Sequence, residues 1–125
     1  HLRIAPASPG KANRLEPLLP HKRATLYVNR IQAALICDKK FPNAEAAAKG
    51  LLQMGARRVL VTDGGAPMAE ASADGIRTAI PPEVTVNRVT GAGDTFMAAH
   101  IAAELRGQSG NFALEASLGI TAAYL

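Results

Sequence analysis

Tryptophan is absent, aromatic residues make up only 4% of the 125 positions, and cysteine occurs once. Each scarcity closes off a class of protein. A single thiol, Cys37, cannot form an internal disulfide, and a reducing, cytoplasmic setting is the expectation. Beside Leu35 and Ile36 it reads as a free, buried, apolar side chain. With so few rings the core must be built from Ala, Leu, Val and Ile. The rings are not interleaved with basic residues, so nothing resembles a stacking platform for single-stranded nucleic acid. No apolar run reaches the ~18 residues of a membrane span, and no signal-peptide pattern opens the chain. Three scattered histidines and one cysteine make no metal-ligand set. No Gly-x-x-x-x-Gly-Lys-Ser/Thr run exists, which excludes a P-loop.

What is present is small, apolar and frequently interrupted. Hydrophobic residues reach 48%, enough for a packed core, and 11 Gly and 8 Pro imply many turns. The length fits one domain or part of one. The net charge of +4 comes from short basic groups at His21-Lys22-Arg23, Lys39-Lys40 and Arg57-Arg58. A solvated basic surface that helps attract an anionic nucleotide is the expected reading, rather than nucleic-acid binding.

The pattern along the chain is alternating. Leu2 to Ala7 reads as a strand, with a turn or two of helix over Lys11 to Glu16. Thr25 to Val28 is a β-branched strand, after which Asn29 caps a helix over Ile31 to Cys37. Asn43 caps the next helix, whose stripe of Ala44, Ala47, Ala48, Leu51 and Leu52 has helical spacing. Gly55 stops it, and Val59-Leu60-Val61 follows as a buried parallel strand. Met68 to Ser72 and Ile76 to Ile80 form a hairpin around Ala73-Asp74-Gly75. Val84 to Val89 is extended. A helix from Ala92 to Arg106 ends at Gly107, and Asn111 caps a last helix from Phe112. Helix, glycine stop and buried strand in succession are a unit of α/β structure.

The most informative run is Thr90-Gly91-Ala92-Gly93-Asp94-Thr95-Phe96. Two glycines around Ala92 let the backbone turn sharply where an apolar helix starts. A helix start offers unpaired N–H groups and a positive dipole end to an anion. Asp94 adds a carboxylate to the same turn. A cradle for phosphate beside a proton acceptor is what phosphoryl transfer to a hydroxyl requires. An ordinary strand-to-helix turn, with Asp94 complementing the dipole, is the plain alternative.

Gly91-Ala92-Gly93-Asp94, followed by an aromatic and a small-residue helix, resembles the C-terminal signature of the ribokinase-like (phosphofructokinase-B type) carbohydrate and nucleoside kinases. Asn29-Arg30-Ile31-Gln32 resembles that family's Asn-x-x-Glu segment, and Val61-Thr62-Asp63-Gly64 its Val-Thr-x-Gly strand end. Ser8-Pro9-Gly10-Lys11-Ala12 and Leu15 to Pro20 are similar to pseudouridine-kinase-like members. The resemblance implies a ribokinase-like three-layer α/β/α fold with a mostly parallel sheet and one β-hairpin. Here it is represented by its C-terminal nucleotide-binding portion over residues 1–125, since the family's sugar-binding sheet and lid lie mostly in an N-terminal half.

By the same resemblance, the amides of Gly91, Ala92 and Gly93 form an anion hole and Asp94 is the catalytic base. Thr62, Gly64, Gly65 and Asn29 bind nucleotide, ATP and Mg²⁺ are the cofactors, and a sugar or sugar-bearing nucleoside is the acceptor. The family's Asn and Glu support magnesium through water. Gln32 keeps an oxygen but lacks the charge, which weakens that support, and a helix cap is an equal reading of Asn29. Asp63 stands where the family has an apolar residue, so its role is open. Arg88 stands where ribokinases often have an Asp that helps bind a monovalent cation, so no potassium activation of that kind is expected. His100 reads as a packed or surface side chain. Two other functions compete. One is a truncated or degenerate nucleotide-binding module without activity. The other is a dinucleotide-binding oxidoreductase, disfavoured because Phe96 stands where that fingerprint needs a small residue.

Overall fold

The structure is a computed structural model and describes residues 2–5, 24–82 and 92–124. The chain divides into two compact units, His1–Thr78 and Ala79–Leu125. The expected helix over Lys11 to Glu16 and the extended run from Val84 to Val89 lie outside the described residues.

The first unit is built around a sheet in the order β1-β2-β3-β4-β5. Its strands are β1 (Leu2–Ile4), β2 (Ala24–Asn29), β3 (Arg58–Thr62), β4 (Met68–Ser72) and β5 (Gly75–Ala79). The strands β1, β2 and β3 are parallel, with Ile4 opposite Leu26 and Val28 opposite Val61. β4 is antiparallel to β3. It joins β5 through Ala73 and Asp74 alone, a connection short enough only for antiparallel neighbours. Four of the five strands therefore run one way. The turn is a residue shorter than the sequence suggested, because Gly75 (φ 121°) already belongs to β5.

Parallel neighbours need a crossover. Between β2 and β3 it consists of two helices, α1 (Arg30–Cys37) and α2 (Ala44–Gln53). Asn43 caps α2 by accepting from Ala46 N at 2.8 Å. At the other end Gly55 adopts φ 108° and donates to Leu52 O, while Ala56 N reaches back to Leu51 O. That pairing satisfies carbonyls a helix end otherwise leaves open. A left-handed Asp38 (φ 51°) ends α1.

The alternation of a strand sends successive side chains to opposite faces. Leu26, Val28, Val59, Val61, Ala69 and Ala71 face α1 and α2, where Ala33, Ile36, Ala44, Ala47, Ala48 and Leu51 meet them. Small alanines let the helices lie close to the sheet. The gap this leaves is filled by Phe41, whose ring lies over Gly50. A Cβ there would stand 2.6 Å from Phe41 Cζ. The other face carries polar groups among apolar ones. Arg3 Nη1 donates to the Tyr27 hydroxyl at 2.6 Å, and Arg58 Nε donates to Glu70 Oε2 at 2.7 Å. Cys37, expected to be buried, is only half-buried. Leu35 beside it is exposed, so the thiol sits at the rim of that helix's apolar stripe.

In the second unit, α3 (Ala92–Leu105) and α4 (Gly110–Tyr124) form a helical hairpin. Phe96, Ala99, His100 and Ala103 are buried on α3, and Ala113, Leu114, Ser117, Leu118 and Thr121 on α4. The two buried hydroxyls donate to carbonyls four residues back, Ser117 to Ala113 and Thr121 to Ser117, which offsets their loss of water. α4 begins at Gly110, ahead of Asn111, the expected cap. The Ser109 carbonyl already accepts from Ala113 N.

Candidate functional site

Two groups of sequence-predicted residues lie in the described parts, one in each unit. In the first unit, parallel β2 and β3 end side by side, with Asn29 and Thr62 as register partners. The carboxyl edge of a parallel sheet is where α/β proteins collect ligands.

On the β2 side the chain enters α1 at once. Asn29 Oδ1 accepts from Gln32 N at 2.7 Å, and Gln32 Oε1 accepts from Asn29 N at 2.9 Å. This is a complete capping box, which satisfies two backbone donors at once. The cap reading of Asn29 is thus met. Each side-chain oxygen accepts one backbone N–H and keeps a second lone pair, and each amide also keeps its NH₂ donors.

On the β3 side, Asp63-Gly64-Gly65-Ala66 make a turn closed by Ala66 N to Asp63 O at 2.9 Å. Gly64 has φ 57°, a left-handed conformation that disfavours a side chain. Among the described residues, nothing lies within 4 Å of where a Cβ would stand on Gly64 or Gly65. The turn is exposed, and its backbone can be approached closely.

Asp63, whose role the sequence left open, accepts from Arg30 Nε at 2.9 Å. Arg30 also donates through Nη1 to the Phe41 carbonyl at 3.0 Å. Sequence reasoning missed Arg30. The signal was available, since residues 30 and 63 each stand one beyond strand ends that parallel pairing aligns, and they carry opposite charge.

In the second unit α3 opens at Ala92, so Ala92, Gly93 and Asp94 form its first turn. The first N–H groups of a helix have no partner within it. Gly91 and Arg88 lie outside the described residues, as do the side chains of residues 92–94. Phe96, 2% exposed, anchors the start of the helix. Its ring stacks on His100, with centroids 5.9 Å apart and planes 19° apart. His100 is buried and has Glu104 Oε1 at 3.8 Å from Nδ1, in keeping with a packed side chain. Among the described residues no cluster of His, Cys, Asp and Glu could hold a metal, and no helix is long and apolar enough to cross a membrane.

This architecture recurs in solved kinases. A carbohydrate kinase from Agrobacterium tumefaciens superposes with a TM-score of 0.76 at 24% identity, over 97% of this chain and 38% of its own. A putative sugar kinase from Clostridium perfringens gives 0.81 at 20% identity, over 97% and 39%. The adenosine kinase of Schistosoma mansoni, in complex with 2-fluoroadenosine, gives 0.77 at 17% identity, over 97% and 40%. The chain thus spans about two fifths of the length of these structures, and at such identities the likeness is one of fold. No curated protein matches the sequence. The model of the pfkB family carbohydrate kinases matches residues 4–123, and the chain belongs to that family.

Proposed function

We propose that this chain is the nucleotide-binding portion of an ATP-dependent kinase that phosphorylates a hydroxyl of a sugar or sugar-bearing nucleoside. The observation that carries this reading is the start of α3 at Ala92, which makes Gly93 and Asp94 part of a helical first turn. Backbone N–H groups from Gly91 to Gly93 stabilise charge on the γ-phosphoryl group. The acceptor oxygen bonds to the γ-phosphorus, the bond to the β–γ bridging oxygen breaks, and ADP leaves. The hydroxyl proton passes to Asp94. The transition state is loose, so the proton departs late and a weak base suffices. Thr62, Gly64, Gly65 and Asn29 contact the nucleotide across the carboxyl edge of β2 and β3.

The open backbone of Gly64 and Gly65 suits close approach of a phosphate or ribose. Magnesium, when bound, would supply charge neutralisation at the phosphates. ATP and water would hold it, because Asn29 and Gln32 offer neutral amide oxygens and no carboxylate. The same capping box, with Gln32 lacking a carboxylate, supports a second reading, a nucleotide-binding module without turnover.

One experiment separates the readings. ATP binding and ATP consumption are measured on the same sample against a panel of sugars and nucleosides, for the complete protein and its Asp94→Asn variant, since the nucleotide-binding portion alone would bind ATP without turnover under either reading. A kinase binds ATP in both forms and loses most turnover in the variant. Binding without turnover in either form selects the module, and near-normal kcat in Asp94→Asn removes the base assignment.

A further inference from the structure

Arg30 and Asp63 do something the family signature does not require, since the signature has an apolar residue at position 63. We propose that Arg30 is a positioning residue. Through Asp63 it holds the Gly64-Gly65 turn in the shape that receives the nucleotide, an inference that rests on the nucleotide reading above.

The turn has little else to order it. Residues 64–67 are exposed. Among the described residues, one backbone bond, Ala66 N to Asp63 O, closes the turn, and no atom lies within 4 Å of either glycine's Cβ position. Adjacent glycines have the most conformational freedom to lose. Of the four turn residues only Asp63 has a polar side chain, and its Oδ1 is held by Arg30 Nε at 2.9 Å.

Arg30 is itself fixed at both ends. Its backbone follows the Asn29 capping box, and its Nη1 holds the carbonyl of Phe41, whose ring is buried over Gly50. The guanidinium therefore joins the core to the glycine turn. The pair is partly exposed, at 38% for Arg30 and 19% for Asp63, so its contribution to global stability is small. Its effect is local, namely order in a turn that a ligand would otherwise have to freeze. Arg30 also offsets a carboxylate that would repel phosphate.

The test uses the full chain with Arg30→Gln, Asp63→Asn and the double variant. ATP affinity is read by titration calorimetry, Gly64 and Gly65 backbone order parameters by NMR, and stability by the urea midpoint. Each single variant should bind ATP about fivefold more weakly, the size of one partly exposed ion pair. The double variant should match either single within about twofold, because both remove one interaction. Both order parameters should fall, with the midpoint nearly unmoved.

Tighter ATP binding by Asp63→Asn would make Arg30 a direct phosphate contact and overturn the positioning role. Unchanged glycine order parameters in both single variants would also overturn it. If the unaltered chain binds no ATP, the nucleotide reading fails, and the order parameters still decide whether Arg30 orders the turn.

Discussion

Replacing Glu70 by Ala should be among the most damaging single changes in the sheet. Glu70 is 3% exposed, on the face of β4 opposite the α1–α2 core. Both Nε, at 2.7 Å, and Nη2 of Arg58 reach its Oε2, and Arg77 Nη1 lies 3.8 Å from Oε1. Truncation removes the Glu70 carboxylate from beside the Arg58 guanidinium, which is 23% exposed. Removing one partner of a buried pair costs about 3–5 kcal/mol, because the remaining charge stays desolvated. The residual exposure of Arg58 puts the value at the low end, about 3 kcal/mol. Arg77, 44% exposed, can turn to water and adds little. Domains have about 5–15 kcal/mol in all, so the loss is a large fraction. With a urea slope of about 1.5 kcal/mol/M, the midpoint should fall by about 2 M. The assay is urea unfolding followed by circular dichroism, since the chain has no Trp to serve as a fluorescent reporter. The double variant Arg58→Met/Glu70→Leu should recover most of the loss, because a desolvated pair exchanged for apolar groups is often neutral. A Glu70→Ala midpoint lowered by less than about 0.5 M, or a double variant no better than the single, would refute the reasoning.

Gly50→Ala should destabilise by about 1 kcal/mol despite the better helix propensity of Ala, because the new methyl meets the buried Phe41 ring; calorimetric melting reads the sign. Gly64→Ala should cost about 1–2 kcal/mol through its left-handed φ of 57°, a difference within reach of the same urea assay. Gly65→Ala has open space and should leave the melting temperature unchanged. If the turn approaches a nucleotide, it should still weaken ATP binding, and equal affinity would argue that the ligand stays clear of this backbone.

Elements with strong local signals were legible in advance. Asn29 and Asn43 are caps because a short side-chain oxygen can reach the N–H groups of the first turn. Gly55 stops α2 because the helix end needs a left-handed residue. The signature at residues 91–94 led to the family, and the start of α3 at Ala92 fell where expected. Tertiary facts were harder to read. The return of the Gln32 oxygen onto Asn29 is by contrast a local feature that went unread, since Asn-x-x-Gln ahead of an apolar run is a capping-box pattern. The Arg30–Asp63 bond depends on strand register across 33 residues. The burial of Glu70 in a short Met-Ala-Glu-Ala-Ser strand runs against composition, and the position of Arg58 on the neighbouring strand makes it tolerable. Cys37 was misjudged because adjacent apolar residues on a helix point in different directions.

The reversal of direction between β3 and β4 makes the two walls of the carboxyl edge unequal in how freely they can diverge. Where β2 runs straight into α1, one inserted residue would break the pairing of Asn29 with Thr62 and the cap together. The exposed bend leading into β4 has no such obligation, and chain added there adds closure entropy only slowly. Paralogues that exchange one small-molecule preference for another should therefore vary in length at positions 64–67 and keep the opposite wall at constant spacing.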